Sequence, residues 1–166
     1  MERLKVCGRF ETPQFAERGY THMVSIGDSD DFFEGLRLPE IAPANHLCLR
    51  FTDTEDASHP DAPKSTAISP LFDWLSGKRI GGLLVHCAAG ISRSPAIALL
   101  AACHLDSETD PLEHMGSVAK ASECSYIWPN RLVVVLGDSL LKRGGAVVRA
   151  LEEWRRSQDD QPIEFV

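Results

Sequence analysis

Two rhythms of apolar positions run along this chain. Short apolar runs predict strands at Leu4–Cys7, His22–Ile26, Leu47–Phe51 and Leu83–His86. Apolar residues returning every third or fourth position predict helices at Thr12–Arg18, Lys64–Leu75, Pro95–Leu105, Pro111–Ser122, Asn130–Lys142 and Gly145–Arg156. In the helix at Lys64–Leu75, Leu71, Trp74 and Leu75 share an apolar face, and Pro70 falls at an awkward middle position. Leu83–His86 is apolar on both sides of its pleat, as a central strand must be. Strands first and helices mostly afterwards predict an α/β fold, a compact and mostly parallel central sheet with helices on both faces.

Composition narrows the class. The 166 residues are 43% hydrophobic and 25% charged, enough for one globular domain over residues 1–156 with a polar tail at 157–166. No apolar run approaches a membrane span, and Met1-Glu2-Arg3-Leu4-Lys5 lacks a secretory apolar core, so neither membrane nor export is expected. The formal net charge of −7 argues against nucleic acid or an anionic membrane as partner. Five cysteines (Cys7, Cys48, Cys87, Cys103, Cys124) make no close-set zinc pattern, and no metal is expected. Their odd number points to a reducing cytoplasm. The charge run Glu152-Glu153 and Arg155-Arg156 reads as a solvated helix face.

One stretch carries chemistry. The strand Leu83-Leu84-Val85 ends at His86-Cys87, a loop Ala88-Ala89-Gly90-Ile91-Ser92 follows, and Arg93-Ser94-Pro95 opens a helix. Backbone N–H groups of such a loop can turn inward and bind a tetrahedral oxyanion at the helix N-terminus. Cys87 beneath that anion is placed to attack it, and the N–H dipoles with Arg93 favour its thiolate. Gly90 gives the turn its positive φ. Arg93 offers a planar fork to two phosphate oxygens. Ser94 either hydrogen-bonds the sulfur or caps the helix, with Pro95 then at the first helical position. His86 is expected to orient the loop. Chance agreement at His86, Cys87, Gly90, Arg93 and Ser94 is about one in ten million per start position at ordinary residue frequencies, which disposes of a chance match.

These residues resemble the phosphate-binding loop His-Cys-x-x-Gly-x-x-Arg-Ser of the cysteine-based protein tyrosine phosphatases, and small bacterial tyrosine and dual-specificity members in particular. The resemblance implies that Cys87 becomes a phosphocysteine, that Arg93 clamps the phosphoryl group and that no metal or other cofactor takes part. It makes Ser94 the aid to breakdown of that intermediate, with the N–H groups of Ala88, Ala89, Gly90, Ile91, Ser92 and Arg93 as the anion cradle. A phosphate or sulfate ion is the small anion expected to occupy it.

This chemistry needs a proton donor for the leaving oxygen. The strand Leu47–Phe51 runs into the acidic loop Thr52-Asp53-Thr54-Glu55-Asp56, and Asp53 lies 34 positions before Cys87. In compact dual-specificity phosphatases the acid sits at the end of such a strand, so the resemblance selects Asp53, then Asp56, then Glu55. Pro129-Asn130-Arg131 resembles the Pro-Asn turn of the same enzymes, where the asparagine braces the loop; Asn is equally suited to an ordinary helix cap. Cys48 and Cys124 are candidate disulfide partners of Cys87, a pairing that spacing does not decide.

The expected activity is therefore hydrolysis of phosphotyrosine in proteins or small aryl phosphates, with phosphoserine and phosphothreonine left open. A phosphoinositide or other non-protein phosphatase is one alternative, although the loop interior carries no cation for further phosphates. A phosphoprotein-binding adaptor without turnover is another, although both Cys87 and Arg93 are retained. A rhodanese-type loop would be shorter, and a low-molecular-weight tyrosine phosphatase would carry its cysteine near the N-terminus.

Overall fold

A computed structural model describes residues 3–15, 18–28 and 41–159. Four strands, β1 (Leu4–Gly8), β2 (His22–Gly27), β3 (His46–Arg50) and β4 (Leu83–Cys87), form one sheet in the order β1-β4-β2-β3. Every pairing is parallel. Among the described residues α1 (Ser65–Leu75) lies between β3 and β4, and α2 (Arg93–Leu105), α3 (Pro111–Ala121), α4 (Arg131–Leu140) and α5 (Ala146–Asp159) follow β4. The expected α/β class and all four strands are present.

The two inner strands, β4 and β2, are buried at every position, whereas β3 at one edge is only partly covered. The register sets Val6, Val85 and Val24 side by side across the sheet. These valines join Ile26, Leu83, Ile68, Leu71, Leu99, Leu100, Met115, Val133 and Leu151 in one core that takes residues from all five α-helices. On the opposite face Cys7, Met23 and Leu84 pack with Phe15 and Ile41, beneath a 3-10 helix at Arg9–Phe15. Helical segments thus cover both faces, unequally. At the β1 edge, Glu123 N donates to Val6 O at 2.9 Å, so the edge strand is not left open.

Some expected boundaries move. The helix expected at Thr12–Arg18 is instead the 3-10 helix Arg9–Phe15, with Pro13 inside it and Thr12 Oγ1 donating to Arg9 O at 2.8 Å. Proline removes a donor from an α-helical ladder, and a tight turn tolerates that loss better. Residues 16 and 17 of that expectation lie outside the described residues, as do 29–31 of the turn read at Gly27–Asp31. Helix α5 continues to Asp159, so the first residues assigned to the polar tail are helical, and residues 160–166 lie outside the described residues. Helix α1 runs through Pro70, which sits on its exposed side while Ile68, Leu71 and Leu75 are buried. Among the described residues no helix is long and apolar enough to cross a membrane.

A parallel sheet carries all its strand C-termini to one edge. Gly8, Gly27-Asp28, Arg50 to Asp53 and Cys87 therefore meet there, where open α/β sheets place their ligands.

Candidate active site

Helix α2 begins at Arg93 with Ser92 as its N-cap, directly after the loop that leaves β4 at Cys87. The loop's carbonyls are tied outward. Ala88 O accepts from Arg9 N at 3.1 Å, Ile91 O from Trp128 N at 2.8 Å and Ser92 O from Asn130 N at 3.1 Å. Ala89 O accepts from Cys124 Sγ at 3.3 Å. In a trans peptide the N–H points opposite to its carbonyl, so the amides of Ala89, Gly90, Ser92 and Arg93 turn to the loop's interior. Gly90 N shows this directly, donating to Cys87 Sγ at 3.3 Å.

Gly90 is required twice over. Its φ is +79°, and a Cβ there would lie 2.6 Å from the carbonyl carbon of Cys7 and 2.7 Å from Gly8 N. The loop thus folds flat against the end of β1, where Gly8 in turn leaves room: a Cβ on it would stand 3.1 Å from Ala88 O.

Cys87 is buried, and its Sγ lies 3.2 Å from Ser94 Oγ. Of the two expectations for Ser94, the sulfur contact is the one seen. Ser94 is not the helix cap and Pro95 is not the first helical residue, because α2 starts two residues earlier and Ser92 takes the cap position. Pro95 still falls within the first turn, where its missing N–H costs nothing. His86 turns away from the loop; its Nε2 lies 2.6 Å from Ser25 Oγ, which is also 2.7 Å from His46 Nε2. Burial pushes the His86 imidazole down to about 4, so it is neutral at physiological pH.

Arg93 is only 4% exposed. Its Nη1 donates to the Asp28 carboxylate and to Phe51 O, the latter at 2.9 Å. Its Nε is buried with no hydrogen-bond partner among the described residues and stands 3.9 Å from Asp53 Oδ2. A buried guanidinium N–H without a partner is costly, and an oxyanion in the loop is the natural acceptor for it.

Asp53 stands at the loop's rim. Its Oδ1 accepts from Ser92 Oγ at 2.7 Å and from Asn130 Nδ2 at 2.9 Å. Asn130 combines the two roles weighed for it: Oδ1 caps α4 by accepting from Val133 N at 3.0 Å, while Nδ2 also reaches Thr54 O at 3.2 Å. Asp56 is different. It is fully exposed, spends Oδ1 on the N–H and hydroxyl of Ser58, and is held below the usual carboxylate range by those bonds. That favours the ionised form, the wrong form for a proton donor. Glu55 is occupied elsewhere, accepting from Arg131 N at 2.6 Å and Arg155 Nη2 at 2.9 Å.

Several residues here escaped the sequence reading. Asp28 was legible only as part of an acidic turn, and Ser25 only as a strand residue. Arg155, expected on a solvated face, is buried, with its guanidinium 4.5 Å from the Trp128 ring centroid; the alternation of charges along α5 hid that one of them points inward. All five cysteines are free, and neither Cys48 nor Cys124 is bonded to Cys87.

No protein-family model matches the chain. A probable dual specificity protein phosphatase of Dictyostelium discoideum is 30% identical over 89 residues, which are 53% of this chain and 36% of that protein. This chain thus spans about a third of the length of that relative. Human tyrosine phosphatase-like serine/threonine/tyrosine-interacting protein superposes with a TM-score of 0.62 at 18% identity, covering 86% of this chain and 93% of that one. Human DUSP28 superposes with a TM-score of 0.60 at 17% identity, covering 95% and 96%. These three are eukaryotic, so the bacterial affinity remains an expectation from sequence. At such identities the superpositions establish the fold, and the loop from His86 to Ser94 adds the signature that goes with it. The chain thus has the fold of the tyrosine and dual-specificity phosphatase structures it superposes on, and over about half its length it is similar to a probable dual specificity protein phosphatase.

Proposed function

We propose that this chain is a metal-independent phosphomonoester hydrolase that acts on phosphotyrosine through a phosphocysteine, with phosphoserine and phosphothreonine as further substrates if the pocket is shallow. The observation that carries this reading is the loop itself: carbonyls tied outward, a thiol at its floor and a buried Arg93 Nε lacking a partner. In the first step the Cys87 thiolate attacks phosphorus. The S–P bond forms as the P–O bond to the leaving group breaks, and the proton of the Asp53 carboxylic acid passes to the departing oxygen. In the second step Asp53, now ionised, takes a proton from water as that water attacks phosphorus. The S–P bond breaks, and the Ser94 hydroxyl stabilises the departing thiolate by hydrogen bond. Throughout, Arg93 and the inward N–H groups neutralise the equatorial oxygens.

The loop interior, Ala88 to Ser92, carries no cation, which supports a single phosphoryl group over a polyphosphorylated headgroup. The five free thiols support a reducing, cytoplasmic setting. The test is phosphate release from a phosphotyrosyl peptide with chelator and reductant present. Release by the wild type and none by Arg93→Ala is expected; a wild type that binds orthophosphate yet releases nothing would replace this reading with a phosphoprotein-binding adaptor.

A further inference from the structure

Glu55 stands two residues beyond Asp53, with one carboxylate oxygen engaged by two donors. Its Oε1 accepts from Arg131 N at 2.6 Å and from Arg155 Nη2 at 2.9 Å. The same Nη2 donates to Pro129 O at 2.6 Å. The Arg155 guanidinium lies against Trp128, whose other neighbour is Tyr126, stacked at 6.1 Å and 12°. Residues 128–131 are therefore gripped from outside by Arg155. On their inner side they hold the phosphate loop, through Trp128 N to Ile91 O and Asn130 N to Ser92 O. The acid loop is fastened to this same segment at three points, Asn130 on Asp53 and on Thr54 O, and Arg131 on Glu55.

Stability alone does not account for this pairing. Glu55 is 44% exposed in its side chain, and an ion pair so placed contributes little. Arg155 is buried and leaves its Nε without a partner among the described residues, which costs rather than contributes. The return lies in geometry: a fork that cannot lose its charge fixes the position of a backbone carbonyl and a loop carboxylate together.

We propose that Arg155 and Glu55 are positioning residues that lock the acid loop to the 128–131 segment, so that Asp53 is held against the phosphate loop when it protonates the leaving group. The proposal rests on the reading of Asp53 as the acid. It predicts an effect confined to substrates that need the acid. General acid catalysis is worth roughly a hundredfold or more, and a displaced donor forfeits part of that.

The experiment compares an alkyl phosphate with an activated aryl phosphate in the wild type, Glu55→Ala, Glu55→Gln and Arg155→Met, each alone and with Asp53→Asn. Glu55→Ala and Arg155→Met are expected to lower kcat/KM for the alkyl phosphate about tenfold, a fraction of the full acid contribution, with little change for the aryl phosphate. Glu55→Gln, which keeps an acceptor for both donors, restores most of the loss. In the Asp53→Asn background the same changes have no further effect. Amide hydrogen exchange across residues 52–56 should quicken in Glu55→Ala, a readout that needs no turnover. Equal losses on both substrates, additivity with Asp53→Asn, or unchanged exchange would each overturn the clamp. An Asp53→Asn change that, alone, slows both phosphates alike would overturn instead the acid assignment beneath it.

Discussion

Ser92 Oγ donates to Asp53 Oδ1 at 2.7 Å, joining the residue beside Arg93, the proposed phosphate clamp, to the proposed proton donor. The bond explains why the N-cap of α2 has no side-chain cap: its hydroxyl is engaged across the site instead. This hydroxyl is one of the direct links between the loop after β4 and the acid loop, and Ser92→Ala should show what it contributes. That change should slow an alkyl phosphate several-fold more than an activated aryl phosphate, read as the ratio of kcat/KM for the two. An unchanged ratio would mean that the bond positions nothing.

Asn130 allows its two tasks to be separated. Asn130→Asp keeps an oxygen for Val133 N but sets a carboxylate against Asp53 in place of a donor. Alkyl phosphate turnover should fall, and the thermal unfolding temperature should drop further below the wild type at pH 7 than at acid pH, because a buried carboxylate then faces Asp53. Asn130→Ala loses the cap as well, at about 1 kcal/mol, and should fall in both measurements.

Gly90→Ala tests the shape of the loop. Its φ of +79° and the 2.6 Å approach of a Cβ to the Cys7 backbone leave no room for accommodation without moving the loop. Displacement by about 1 Å at a reacting centre costs on the order of a hundredfold. A variant within threefold of the wild type in kcat/KM would contradict the flat packing of the loop on β1.

The loop was legible because its parts are contiguous. A strand end, a glycine and a helix start within nine residues leave little freedom, so Cys87, Gly90, Arg93 and Ser94 could be named before their neighbours were known. Asp53 was selected by resemblance among three carboxylates of one loop, and the structure brings it to the rim beside Ser92. Asp28 and Arg155 were not: they reach Arg93 and Glu55 across 65 and 100 residues, and no local pattern encodes such a meeting. The same holds for Ser25 and His86, paired only because β2 and β4 are neighbours in the sheet. The 3-10 helix was misplaced because its apolar spacing suits a helix, while Pro13 decides which kind.

His86 gives the fold a pH dependence of definite sign. Its folded-state value, pushed down to about 4 by burial, lies below the 6.5 of an exposed histidine. Below pH 6.5 the unfolded chain takes up a proton that the folded chain refuses, so stability falls with pH, by about 2 kcal/mol at pH 5 and about 3 kcal/mol by pH 4. His22 and His104, also lowered by burial, act in the same direction. Denaturant unfolding at pH 7.5 and pH 5 should show a smaller difference for His86→Gln than for the wild type. An equal difference would mean that His86 is not buried in its neutral form.

The decisive experiment is rapid mixing of an aryl phosphate with the wild type and with Cys87→Ser, in reductant and without metal, quenched in acid to trap phosphoprotein. A burst approaching one equivalent of released alcohol per chain and an acid-trapped phosphocysteine, both absent from Cys87→Ser, are the expected result. Turnover that survives in Cys87→Ser, or a wild type that binds phosphate analogues but forms no phosphoenzyme, would contradict the assignment of Cys87 as the nucleophile.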